Sequence, residues 1–125
     1  MQLKALAVPV AVIVLAVGGV MYLSRPRTEQ FGAADTGAVA TVAINDIGTD
    51  LLGRTVAIEG TILRECPHSG CWAVIRDDTG QIRIDTNAGG FALPLHREGS
   101  RIRIVGVVQQ TEGGDLEISA QSAQL

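Results

Sequence analysis

Apolar and polar positions alternate with period two through the second half of the chain. From Thr55 to Leu63, Val56, Ile58, Gly60 and Ile62 fall on one face and Thr55, Ala57, Glu59 and Thr61 on the other, which predicts a half-buried strand. Trp72 to Asp77 predicts a second strand, with Ala73 and Ile75 opposite Trp72, Val74 and Arg76. Asp78-Thr79-Gly80 is a tight-turn sequence, and Gln81 to Asp85 predicts the third strand with Ile82 and Ile84 inward, so strands two and three form a hairpin. Asn87-Ala88-Gly89-Gly90 breaks the chain, and Phe91 to His96, holding Pro94, is a loop. Arg101 to Gln110 is the clearest strand, with Ile102, Ile104, Gly106 and Val108 inward. Gly113-Gly114 then turns the chain into a fifth strand, Leu116 to Ser119. Upstream, Thr41 to Ile44 predicts a short edge strand, and Ile47, Leu51 and Leu52 a short capping helix begun by Asn45 or Asp46.

The first half follows a different pattern. Ala5 to Leu23 is an unbroken apolar run of about 19 residues, bracketed by Lys4 and by Arg25 and Arg27. As a helix it is roughly 28 Å long, close to the hydrocarbon thickness of a bilayer. A cleaved signal has a shorter core and small residues at the cut, whereas here Met21-Tyr22-Leu23 leads into Ser24-Arg25-Pro26-Arg27. No cysteine follows the run directly, which excludes a lipoprotein anchor, and Tyr22 sits where an interfacial aromatic belongs. Residues 1–27 are therefore expected to be a retained single-span anchor, with Gly18 and Gly19 as a close-approach face for other helices.

Residues 28–40, rich in Gly, Ala and Thr without an apolar period, are expected to be a flexible linker, and residues 41–125 one folded domain. The chain carries a net charge of −3, and beyond Thr41 its cations are all arginines, outnumbered by acids. That balance disfavours nucleic acid and anionic lipid as partners of the domain. Five short strands with a non-strand insert between the third and fourth predict an all-β, five-stranded OB-like Greek-key barrel. Gly60 and Gly106 mark where its strands coil sharply. A β-sandwich would require about seven strands.

The run GRTVAIEGTILRECPHSGCWAVIRDDTGQIRIDT, followed by GSRIRIVGVVQQ, resembles the OB-fold. It is similar to small exported bacterial OB domains of the DUF4920-type family, which carry a Gly-Cys-Trp after the first strand. The resemblance covers about Val42 to Ala120 and implies a fold and an exported setting rather than an activity.

Cys66 and Cys71, the only cysteines, close the connection between the first two strands. In an exported domain this size they are expected to form a structural disulfide. The six-residue loop would gain about 2 kcal/mol by the chain-entropy argument. The alternative is a soft-metal or redox site, with Cys66, His68 and Cys71 holding Cu(I) or Zn(II), or the two thiols shuttling electrons. The basic residues flanking the span weakly favour a cytoplasmic domain, and the cysteines favour export; export is the expectation, with a bacterial inner-membrane anchor and a periplasmic C-terminal domain.

Other chemistries lack their parts. Asp77-Asp78 belongs to a hairpin turn and cannot face itself across a glycosidase cleft. Gly89-Gly90 lacks the following Lys-Ser/Thr of a phosphate loop, and Ser69 and Ser100 lack His and Asp partners. The C-terminal Gln121-Ser122-Ala123-Gln124-Leu125 holds no histidine for haem handling. Neither an enzyme nor a cofactor is expected. Arg101 and Arg103 share one strand face, with Arg83 placed beside them. Together with Trp72, which otherwise packs against the core or the cysteine loop, they are the candidates for a patch that docks a protein partner. The expected role is an accessory or assembly subunit of an integral membrane complex.

Overall fold

The computed structural model describes residues 28–125. The span expected upstream, including Gly18 and Gly19, lies outside the described residues, among which no helix is long and apolar enough to cross a membrane.

Among the described residues there are six strands: β1 (Gln30–Gly32), β2 (Thr55–Glu65), β3 (Trp72–Arg76), β4 (Gln81–Asp85), β5 (Arg101–Gln110) and β6 (Leu116–Gln124). The last five close on themselves in the order β2-β3-β4-β6-β5, with β5 returning to β2. Every pairing in this ring is antiparallel except β4 with β6, which run parallel. A five-stranded closed Greek-key barrel with one parallel seam is the OB-like arrangement, and its closure leaves no free edge among the five strands.

The inward positions follow the alternation. Ile58, Ile75, Ile84, Ile104 and Ile118 are fully buried and fill the barrel interior. Isoleucine suits this role because its branched side chain packs well on a pleated surface. Ala57 of β2 and Val74 of β3, on the opposite faces from the interior isoleucines, are also buried, so parts of β2 and β3 are covered on both faces. Leu93, from the irregular segment between β4 and β5, enters the same core.

Three expectations are corrected. The short capping helix is instead two 3-10 turns, Ile44–Asp46 and Thr49–Leu51. They bury Ile44 and Ile47 and leave Leu52 exposed. The expected edge strand at Thr41 is a single parallel bridge to Ala57. The third correction matters most for function: residues 28–40 are not a free linker. Gln30–Gly32 pairs antiparallel with Ser122–Gln124, and Glu29 and Leu125 exchange backbone hydrogen bonds of 3.2 and 2.9 Å. Backbone pairing is indifferent to side-chain composition, so a Gly- and Ala-rich stretch serves wherever an edge offers free N–H and C=O groups.

Asp77 ties the hairpin turn to the barrel cap. Its Oδ1 accepts from Thr79 N, Thr79 Oγ1 and Gly80 N at 2.8, 2.7 and 3.0 Å, and its Oδ2 accepts from Ile44 N at 2.9 Å. Partial burial works to raise its pKa, but the donors at Ile44, Thr79 and Gly80 outweigh it and lower it from 3.8 to about 2. A carboxylate with a depressed folded-state pKa contributes stability above its unfolded pKa, and that contribution is lost as pH falls through the folded value. Asp77→Asn is therefore expected to cost about 2 kcal/mol at pH 7. In urea titrations it should flatten the loss of stability between pH 4 and pH 2 relative to the parent chain.

Candidate functional site

The outer faces of β3, β4 and β6 form a cleft of about 840 Å³. Strand alternation builds it. Side chains at Trp72, Arg83 and Asp85 must point outward because Ala73, Ile75, Ile82 and Ile84 point in. The Arg83 guanidinium lies 5.1 Å from the centre of the Trp72 ring, a cation–π contact. Its Nε is 3.6 Å from Glu117 Oε2, across the parallel β4–β6 seam. Gln109 Nε2 donates to the other Glu117 oxygen at 2.7 Å, holding that carboxylate in place. Arg64, Asp85 and Asp115 complete the rim. The cleft thus presents one half-exposed aromatic ring among charges of both signs, a surface suited to polar protein contact rather than to a uniformly anionic ligand.

The expected basic patch does not assemble. Arg83 aligns through Glu117 with Gln109, at the opposite end of β5 from Arg101 and Arg103. Arg101 is exposed, but Arg103 is committed inside the molecule and its side chain is only 16% exposed. Its Nε donates to Asp35 Oδ2 at 2.8 Å, Nη1 to Thr41 Oγ1 at 2.7 Å and Glu59 Oε1 at 3.3 Å, and Nη2 to the Val39 carbonyl at 2.8 Å. One guanidinium fork thereby fastens residues 35–41 to the barrel wall, a geometry that the single ammonium of lysine cannot reproduce. The Gly37 N–H, then Arg103, hold the Asp35 carboxyl below its usual range. The signal in the sequence is the Asp35-Thr36-Gly37 turn, the same tripeptide as Asp78-Thr79-Gly80.

The cysteine loop joins β2 to β3. Cys66 N donates to Trp72 O and Thr86 N to Cys71 O, which pins both ends. Gly70 adopts φ +60, and its carbonyl accepts from Leu93 N at 2.9 Å and from the buried Thr86 hydroxyl at 3.2 Å. A side chain there would run into the Leu93 backbone, so only glycine fits. Both thiols are free: the expected disulfide is not formed, and the Ser69 hydroxyl contacts both sulfurs instead. Ser69 Oγ is 3.2 Å from Cys66 Sγ and donates to Cys71 Sγ at 3.1 Å. The Ser69 hydroxyl, with the backbone N–H groups of His68 and Ser69, lowers the Cys66 pKa from 9.0 to about 6. Among the described residues, no three His, Cys, Asp or Glu side chains converge, so His68 does not join the cysteines as a third ligand. Next to this loop, Glu65 is buried; its Oε1 accepts from Arg97 N at 2.6 Å, and its Oε2 has no hydrogen-bond partner among the described residues.

No known family model and no curated protein matches the chain. Among solved structures, the chain is similar to the hypothetical protein YgiW of E. coli, with 21% identity, a TM-score of 0.48, and a match covering 73% of this chain and 94% of that one.

Proposed function

We propose that this chain is an accessory or assembly subunit of an integral membrane protein complex, anchored by its N-terminal apolar run and acting by protein–protein contact on the outer side of a bacterial inner membrane. The observation that carries this reading is the docking of residues 29–41 onto the barrel by β1 and Arg103. Only Ser24 to Glu29 separate the end of the apolar run from β1, a reach of roughly 20 Å at full extension. A barrel on so short a lead cannot sample the aqueous compartment. Its accessible partners are those in the same membrane or lying against it. The resemblance of the Gly-Cys-Trp region to exported OB domains supports the periplasmic side.

The Trp72–Arg83 cleft is the proposed contact surface. Aromatic and arginine side chains are the residue types that most often dominate protein interfaces, and the mixed charges of the rim favour a polar partner segment of defined register. Extraction of the full-length chain in mild detergent is expected to recover it in stoichiometric complex with a membrane-spanning protein. The double variant Trp72→Ala with Arg83→Glu should lose that protein at least tenfold while its circular dichroism and urea midpoint stay close to those of the parent. Recovery of the parent as a lone monomer, or retention of the same partner by the double variant, would count against the reading. Protection of the C-terminus from protease added to intact spheroplasts would place the barrel in the cytoplasm and remove the periplasmic part of the proposal.

A further inference from the structure

We propose that Cys66 and Cys71 form an exchange-competent dithiol that passes two electrons to an external disulfide and closes on itself when oxidised. The loop is constructed for that cycle. Its ends are held by Cys66 N to Trp72 O and Thr86 N to Cys71 O, and its turn is locked at Gly70 by Thr86 and Leu93. Between these fixed points, Pro67, His68 and Ser69 are exposed. The two sulfurs share the Ser69 hydroxyl, at 3.2 and 3.1 Å, and Cys71 itself hydrogen-bonds to Cys66, so the pair is close enough to meet when this exposed part of the loop adjusts.

The two sulfurs are not equivalent. Cys66 is 9% exposed, whereas Cys71 is more open to solvent. Ser69 has one hydroxyl proton and two sulfur neighbours, so it serves one sulfur at a time. When Cys66 ionises, the hydroxyl turns toward it and joins the His68 and Ser69 N–H groups around the thiolate. The Cys71 thiol is left as the accessible partner.

In the exchange, Cys71 Sγ loses its proton to solvent and attacks one sulfur of the external disulfide. The S–S bond of that disulfide breaks, one thiolate leaves, and Cys71 is held in a mixed disulfide. The Cys66 thiolate then attacks Cys71 Sγ, expelling the second thiolate. The net change is oxidation of the dithiol to Cys66–Cys71 and reduction of the external disulfide to two thiolates, with one proton released. A low-pKa thiolate is also a good leaving group, so the reverse reaction, in which an external thiolate attacks Cys71 and expels Cys66, is favoured by the same environment.

The test uses the full-length reduced chain in detergent, equilibrated at pH 7 with mixtures of reduced and oxidised glutathione, acid-quenched, alkylated and weighed intact. The expected result is a single two-electron transition within the range these mixtures span, ending in a species with neither alkyl label nor glutathione. Trp72, the only tryptophan and adjacent to Cys71, should change fluorescence over the same transition. Cys66→Ser is expected to trap glutathione on Cys71, and Ser69→Ala to slow alkylation of Cys66 several-fold at pH 7. Two free thiols throughout, stable glutathione adducts on both cysteines of the parent, or a disulfide that no glutathione mixture reduces would each overturn the proposal. The last would restore the purely structural staple. None of these outcomes depends on the membrane partner, so this proposal and the subunit reading fail separately.

Discussion

Gly106→Val is expected to prevent the barrel from closing. Gly106 sits where the register between β5 and β6 shifts, and it faces Val56 of β2 on one side and Ala120 of β6 on the other. A side chain there would meet the Ser119 carbonyl oxygen and, at 2.6 Å, Ile118 Cγ2. The obstruction is backbone, which cannot rotate away as the end of a flexible side chain can. Relief requires parting β5 from β6, the longest antiparallel seam in the ring. Overpacking a core costs about 1–3 kcal/mol where side chains adjust, and this site should exceed that range. Gly106→Ala, which adds only the first carbon, should already lower the urea midpoint clearly, and Gly106→Val should show little folded protein by circular dichroism. A valine variant with a parental midpoint would mean that the seam is far more pliable than the ring geometry implies.

Ile104→Ala is expected to remove about 4 kcal/mol. Ile104 is fully buried and lies directly opposite Ile58, also fully buried, in the β2–β5 register. Truncation deletes three carbons from the middle of a closed ring. The walls are tied to one another by continuous hydrogen bonding and cannot collapse inward to fill the void, so the cavity cost adds to the lost transfer energy. Against the 5–15 kcal/mol typical of a domain, one such change consumes a large fraction of the total. Ile104→Val should cost about 1 kcal/mol. Leu52→Ala, at a site 39% exposed, should change stability by less than about 0.5 kcal/mol. Chemical denaturation with an unchanged slope checks all three, and equal losses at Ile104 and Leu52 would contradict the burial pattern.

The two sites owe their sensitivity to the same feature, and the period of the side chains alone reveals it. In β5 the period-two signal is strong at its start because buried Ile102 and Ile104 alternate with Arg101 and Arg103, which cannot be buried cheaply, and the expected bounds Arg101 to Gln110 are those observed. The same holds for β4, Gln81–Asp85. In β6 the signal stops at Ser119, yet the strand continues to Gln124. Its last residues, Gln121-Ser122-Ala123-Gln124, have almost no hydrophobic contrast. They are held in strand geometry by β5 on one side and β1 on the other, and Ala123 is fully buried by neighbours rather than by its own preference. β1 escapes the pattern for the complementary reason: a three-residue strand of Gln, Phe and Gly owes its existence to the edge it meets.

The candidate sites divide in the same way. Trp72 and Arg83 are recognisable individually and stack across the β3–β4 hairpin, but the link to Glu117 arises from the parallel β4–β6 seam, which no local pattern announces. Arg103 reads as a surface cation because strand alternation sends it outward. Its burial comes from Asp35, 68 residues away, folding over it. The cysteine spacing indicates a closed loop, while the contact of one serine hydroxyl with both sulfurs depends on how Gly70, Thr86 and Leu93 fix the loop from outside.

The pattern of side chains along this chain was enough to determine five strands, their inward faces and an all-β barrel, because burial of apolar surface is a property of each residue and its period. Which polar groups meet was decided only by the closed ring and the segment laid across it, because hydrogen bonds and ion pairs act over a few ångströms and join residues that stand far apart in the chain.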